Sequence, residues 1–153
     1  MSAVPKPQVH YRRMRIHDVA DVAALEKALY AFPWSVGNFH DSVVAGYDCW
    51  VVCDAERVIG YAILMIALDE AHLLNIAVST GRQNQGIGGA FLDQMVGVAR
   101  NAGCQVIYLE VRPSNLAARH LYRKFGFQQI AIRPHYYPAV AGREDALFLG
   151  LTL

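Results

Sequence analysis

Apolar residues in this chain recur at two periods, and the switches between them mark out the elements. Val19, Val22, Ala23, Leu25, Leu29 and Phe32 recur at close to helical spacing, which predicts a helix over 18–32. Asp18 is its expected N-cap and Pro33 its stop. Ser35 is placed to cap a second short helix through about residue 44. Residues 50–53 and 58–68 are apolar runs that predict strands, joined by the polar turn Asp54-Ala55-Glu56-Arg57. A third strand over 72–78 follows a tight turn around Asp69-Glu70. Ile87, Phe91, Met95 and Val98 then share a helix face, and Gly103 stands where a glycine ends a helix. Residues 106–111 predict another strand, and Ser114 or Asn115 opens a helix that Gly126 closes. Two last strands are expected near 128–133 and 146–151. This order predicts an α/β fold on a mixed sheet, with helices on both faces and crossover helices after the third and fourth strands.

Composition changes that picture little. A chain of 153 residues fits one domain, here a loose lead-in over 1–10 and a single domain over 11–153. With 54% hydrophobic and 18% charged residues, disorder is excluded. The formal net charge of +1 argues against a dedicated nucleic-acid binder, and Arg12, Arg13 and Arg15 read as a solvated strand face. Cys49, Cys53 and Cys104 form neither a CxxC pair nor a disulfide framework, which points to a reducing cytoplasm. The histidines lack metal-ligand spacing, so no metal site is expected. The longest apolar run, 58–68, is about half of the roughly 20 residues a membrane helix needs. The lead-in has two prolines and no apolar segment of the signal-peptide kind. Nothing in the pattern assigns an oligomeric state.

Candidate chemistry begins at Gln83-Asn84-Gln85-Gly86-Ile87-Gly88-Gly89, between a strand and a helix. Glycines let backbone approach a ligand closely, and the first N–H groups of a helix lack internal partners, so a pyrophosphate is favoured there. A Walker loop is excluded by the missing lysine, and a dinucleotide fingerprint by Phe91 in place of a third glycine. A turn that merely starts a helix is the alternative. Glu110 interrupts an apolar strand on the face of Val106 and Tyr108. A carboxylate there must be solvated or paired; partial burial makes it a better base, and an outward-facing surface glutamate is the alternative. Tyr122 lies in the following helix, where a phenol can protonate a departing thiolate or simply pack in the core.

Taken together, Gln-x-x-Gly-x-Gly, Leu109-Glu110-Val111-Arg112, Ser114-Asn115-Leu116-Ala117-Ala118 and Leu121-Tyr122-Arg123-Lys124-Phe125-Gly126-Phe127 closely resemble the GNAT acetyltransferase superfamily. The resemblance runs from about residue 14 to 149. It is most specific toward the branch that acetylates the N-terminal alanine of a small-subunit ribosomal protein. It rests there on Phe32-Pro33-Trp34-Ser35 with Phe39, on residues 70–78, on Arg133-Pro134-His135-Tyr136-Tyr137-Pro138 and on Glu144-Asp145-Ala146.

The resemblance implies a mostly antiparallel sheet of about six to seven strands with a parallel pair around the cofactor. It implies acetyl-CoA as donor, held by Ile76, Ala77 and Val78 and by Gln83, Asn84, Gln85, Gly86, Ile87, Gly88 and Gly89, with Asn115 also in contact. Glu110 is then the proton acceptor and Tyr122 the proton donor, and Trp34, Tyr136 and Tyr137 line a channel for a protein N-terminus. No covalent intermediate, metal, nucleic acid or membrane is involved. Ser79-Thr80-Gly81-Arg82 and Pro134 depart from the usual pattern without removing a catalytic group. A small amine or a lysine side chain as acceptor, and a CoA-binding module without catalysis, are the competing readings.

Overall fold

The computed structural model describes residues 8–153; residues 1–7 of the expected lead-in lie outside the described residues, and its last residue, His10, opens a strand. The elements in chain order are β1 (His10–Arg13), α1 (Val19–Leu29), α2 (Val36–Val44), β2 (Asp48–Asp54), β3 (Arg57–Ala67), β4 (Glu70–Val78), α3 (Ile87–Asn101), β5 (Val106–Val111), α4 (Leu116–Phe125), β6 (Gln128–Ala139) and β7 (Gly142–Thr152). The strands form one mixed sheet in the order β1-β2-β3-β4-β5-β7-β6. β4 and β5 pair in parallel, with Ala71 opposite Ile107 and His72 opposite Tyr108. A parallel return needs a long crossover, which α3 supplies. β1 with β2, β2 with β3, β5 with β7 and β6 with β7 are antiparallel. The mixed sheet with its parallel pair is the expected fold. Among the described residues no helix is long and apolar enough to cross a membrane.

The chain divides into two compact units, Met1–Leu64 with Asn75–Met95, and Met65–Leu74 with Val96–Leu153. In the first, the core is built on Val22, Phe39, Val51, Val52, Tyr61, Ile63, Leu64, Phe91, Leu92 and Met95. α1 buries Val19, Val22, Ala23 and, unexpectedly, Glu26. It ends at Leu29 rather than at residue 32: Tyr30 is already extended, and Phe32, held out of the helical region by Pro33, is 43% exposed.

Asp18 precedes α1 but does not cap it. Its carboxylate instead accepts from Arg12 at 2.7 and 2.9 Å and from the Arg15 N–H at 2.8 Å, closing the short 3-10 turn Ile16–Asp18. The Arg12 guanidinium holds that carboxyl below the usual carboxylate range. The basic cluster is therefore only partly the solvated face expected, because Arg13 also bonds Asp48 at 2.9 Å and lies over the Trp50 ring. Ser35 caps α2 as expected, accepting from the Asn38 N–H.

Gly60 on β3 is a close approach of backbone to backbone. A Cβ there would stand 2.7 Å from the Ala77 carbonyl oxygen and from Val52 Cγ1. Gly60→Ala is expected to cost about 2–3 kcal/mol, read as a lowered midpoint in denaturant unfolding, because a β4 carbonyl cannot step aside as a side chain can.

In the second unit β5 alternates as a half-buried strand should: Ile107, Leu109 and Val111 are buried, while Val106, Tyr108 and Glu110 are half-buried. α3 and α4 end alike. Gly103 and Gly126 adopt left-handed φ values of 84° and 108°, with Cys104 N–H bonding Ala99 O and Phe127 N–H bonding Tyr122 O. β6 and β7 run further than the expected 128–133 and 146–151. β6 is an edge strand, exposed along most of its length, so its polar half carries no burial pattern to read.

Candidate active site

In the first unit β4 ends at Val78, and the chain leaves it through the turn Thr80–Arg82. Hydrogen bonds fold that exit back on the strand: Ser79 N–H to Ile59 O at 2.7 Å, Arg82 N–H to Ser79 O at 2.9 Å, and Gln83 Nε2 to Val78 O at 3.1 Å. Arg82 is itself taken by Asp54 at 2.6 Å and Gln85 Oε1 at 3.2 Å. Asn84 and Gly86 take left-handed φ values of 61° and 79°, which turns the loop into α3. The helical ladder opens with Ala90 N–H to Gly86 O, so the N–H groups of Ile87, Gly88 and Gly89 lie ahead of it. Ile87 is buried and anchors the turn; Gln83, Asn84, Gln85 and Gly86 are exposed. No acidic residue stands between Glu70 and Asp93. With Arg82 already paired, what this loop offers an anion is backbone N–H and the positive end of a helix dipole, which fits a pyrophosphate. Ile76, Ala77 and Val78 lead directly into it.

Trp34 is half-buried in the same unit, 5.2 Å from the Phe39 ring, which in turn meets Tyr61 edge-on. Its position is set by Glu26. That carboxylate, 3% exposed, accepts from the Trp34 N–H at 2.8 Å, the Tyr61 hydroxyl at 2.7 Å and Asn75 Nδ2 at 2.9 Å. Helical periodicity had placed only apolar residues on this face. Glu26 was missed because a charged residue on a buried stripe looks like the edge of the polar face.

Glu110 lies in the second unit and is not a surface glutamate. Its side chain is 11% exposed, with Oε2 2.6 Å from His72 Nε2 and Oε1 3.7 Å from Arg133 Nε. The parallel register makes the first contact. His72 is opposite Tyr108, and Glu110 is two residues further along the same face of β5. Phe148 on β7, opposite Glu110, stacks on Tyr108, and Arg133 spans the Phe148 ring at 5.0 Å. His72 and Arg133 were not singled out from the sequence, since only strand pairing brings residues 38 and 23 positions away to one carboxylate.

Tyr122 is buried on α4, its ring edge-on to Phe127 at 5.6 Å. Asn115 is the N-cap of that helix, its Oδ1 accepting from the Ala118 N–H at 3.2 Å. Glu144 pins the start of α4. It accepts from Ser114 Oγ and N–H at 3.0 and 2.9 Å and from Arg112 at 3.2 Å. The Ser114 hydroxyl, then its N–H and the Arg112 guanidinium, hold this carboxyl below the usual range.

Tyr136 and Tyr137 sit in a bulge. Between the pairs Arg133–Ala146 and Tyr137–Glu144, three residues of β6 oppose Asp145 alone. Asp145 fills the gap by accepting the N–H of His135, which has a φ of 51°. The two tyrosine rings meet edge-on at 4.8 Å, with Arg112 over Tyr137 at 4.4 Å and Arg133 near Tyr136 at 5.8 Å. Burial and then the nearby Glu110 charge push the Tyr137 phenol up, so it stays a neutral hydroxyl beside that carboxylate. The Glu-Asp-Ala run and the tyrosine-proline element are thus two halves of one bulged hairpin. Among the described residues no His, Cys, Asp and Glu cluster could hold a metal ion.

Known proteins are similar to this chain in sequence and in fold. Residues 17–127 match the acetyltransferase (GNAT) family. The [ribosomal protein bS18]-alanine N-acetyltransferase of Escherichia coli K12, RimI, is 38% identical over 129 residues, spanning 84% of this chain and 87% of the relative. The enzyme of the same name from Haemophilus ducreyi is 37% identical over 130 residues, spanning 84% and 90%. The crystal structure of the E. coli ribosomal-protein-S18-alanine N-acetyltransferase superposes with a TM-score of 0.89 at 34% identity, covering 95% of this chain and 94% of that one. On the glycine loop, the strand glutamate and these matches, the chain belongs to the GNAT acetyltransferase family.

Proposed function

We propose that the protein transfers the acetyl group of acetyl-CoA to the N-terminal α-amine of a protein, with the N-terminal alanine of a small-subunit ribosomal protein as its substrate. The observation that carries this reading is the Glu110 carboxylate, 11% exposed and held between His72 and Arg133 beside the Tyr136–Tyr137 bulge. The relatives named as bS18-alanine N-acetyltransferases support the choice of acceptor. Residues 11–153 act as the catalytic domain, and the three cysteines, all buried and unbridged, agree with work in the cytoplasm.

The chemistry of an α-amine fits a carboxylate base. Its pKa of about 7.7–8.0 leaves roughly a third of it neutral at pH 7.5, against about a thousandth of a lysine. Glu110 takes the proton that the amine sheds as its nitrogen bonds the acyl carbon. Tyr122 gives its proton to the thiolate that leaves. Acetyl-CoA, when bound, supplies the activated acyl group as a thioester. Ile76, Ala77, Val78 and residues 83–89 hold its pantetheine arm and pyrophosphate, with Asn115 in contact, and Val78 backbone polarises the carbonyl. Trp34, Tyr136 and Tyr137 receive the peptide.

Thiol release from acetyl-CoA with two matched peptides tests this. One starts with a free alanine; the other is N-terminally blocked and carries an internal lysine. Turnover on the first alone is expected. Turnover on the blocked peptide alone overturns the α-amine acceptor while leaving an acetyltransferase. Silence on both turns the question to other acceptors such as a small amine, and a lack of thiol release with every acceptor points to a CoA-binding module.

A further inference from the structure

We propose that His72 is a positioning residue for Glu110, donating its Nε2–H to Oε2 and so committing Oε1 to proton transfer. The inference rests on the reading of Glu110 as the base.

Two hydrogen-bond acceptors cannot face each other at 2.6 Å, so a proton lies between His72 Nε2 and Glu110 Oε2. The ring that supplies it is held in place. His72 is fixed by the parallel register opposite Tyr108, and its ring lies 6.5 Å from that of Phe148. Its side chain is 25% exposed, on a depression lined by Met65, Ala67, Glu70, Ala71 and Tyr108. One flank of the imidazole therefore faces the carboxylate and another reaches solvent.

Oε1 is left differently. Its neighbour is Arg133, at 3.7 Å and half exposed, which is beyond hydrogen-bond reach. A carboxylate free to rotate would present either oxygen to the amine in many orientations. Anchoring one oxygen fixes the plane of the group and the direction of the other's lone pairs, which is the service an orienting partner gives a general base.

The charged and polar groups around the pair are Glu70 on β4, Tyr108 and Glu110 on β5, and Arg133 and Tyr137 on β6. A glutamine at position 72 can donate the same hydrogen bond, so it tests whether that bond is what orients Glu110.

The experiment compares His72→Ala, His72→Gln and Glu110→Gln with wild type, in kcat and KM for an alanine-starting peptide across pH 5.5–9, with unfolding midpoints as the check on folding. His72→Ala is expected to lower kcat roughly 10- to 100-fold with KM for acetyl-CoA unchanged. His72→Gln, which can donate the same hydrogen bond, is expected to recover most of that rate. In a Glu110→Gln background, His72→Ala is expected to cost nothing further. Wild-type kcat in His72→Ala overturns the proposal, as does an equal loss in Ala and Gln, which marks a merely structural residue. Full activity in Glu110→Gln instead overturns the underlying reading of the base, so the two failures are distinguishable.

Discussion

Glu110→Gln is expected to lower kcat for an alanine-starting peptide by about 10²- to 10⁴-fold while leaving acetyl-CoA affinity within about twofold. The substitution is nearly isosteric. The amide oxygen can still accept from His72 Nε2, now 2.6 Å from Oε2, so the local packing against Tyr108 and Phe148 survives. What is lost is the capacity to take a proton. The donor is assigned to residues 76–89, whose first-turn N–H groups do not involve Glu110. Calorimetric titration with acetyl-CoA and steady-state turnover, run on the same preparation, separate the two quantities. Unchanged turnover would mean that another group, or water alone, accepts the proton. Equal losses in affinity and rate would mean that Glu110 supports structure rather than chemistry.

Glu26→Ala is expected to destabilise the protein by about 3–5 kcal/mol, the largest effect on folding anticipated for a single substitution here. Glu26 accepts from three donors and donates to none, the bonding of an ionised carboxylate. Its removal leaves the Tyr61 hydroxyl, on a side chain with no exposure, without its acceptor, and frees the Trp34 backbone and Asn75 side chain. Burial and then the Glu26 charge push the Tyr61 phenol far up, so Tyr61 remains a donor across the physiological range. Glu26→Gln keeps an oxygen for Tyr61 and Asn75 but turns an N–H₂ toward the Trp34 N–H, and is expected to cost only about 1–2 kcal/mol. Chemical denaturation of the two variants measures both figures. A loss below about 1 kcal/mol for alanine would show that water replaces the carboxylate. Because the same contact fixes Trp34, Glu26→Gln is also expected to raise KM for peptide more than it lowers kcat.

The glycine loop was legible in the chain because its signals are local, whereas Glu110 and Tyr122 stood out only through the resemblance of the motifs around them. Left-handed residues before a helix need glycine or asparagine, and Asn84 and Gly86 supply them. Gly103 and Gly126 end their helices for the same reason. Ser35 read correctly as a cap, and of the two candidates Ser114 and Asn115 it is Asn115 that caps α4, since a cap bonds a backbone N–H three residues on. Asp18 had the right residue type and nearly the right place. Its carboxylate went to Arg12, six residues back and on a strand, because an arginine is a stronger partner than a backbone N–H.

Residues that act on one another from different strands were not legible. His72 stands in an apolar strand where nothing nearby in sequence marks it, and Arg133 precedes a proline at the start of a bulge. Glu144 and Asp145 could be recognised as a motif, but not as a clamp on Arg112 and Ser114 and a filler for the bulge at His135. The length of β6 was hidden for a related reason. An exposed edge strand lacks the alternation that burial imposes, and its pairing is decided by β7.

The sequence by itself determined the order of the elements, the ends of most helices and the turn into α3, because each depends on backbone preferences and periodicity within a few residues; the family was carried by the resemblance of its motifs. Only the tertiary structure decided which groups meet the candidate site residues: His72 and Arg133 on Glu110, Glu26 on the Trp34 backbone, and Glu144 at the head of α4. Those contacts follow from strand register and helix docking. They join residues far apart in the chain, whose burial and mutual distance do not exist until the sheet has formed.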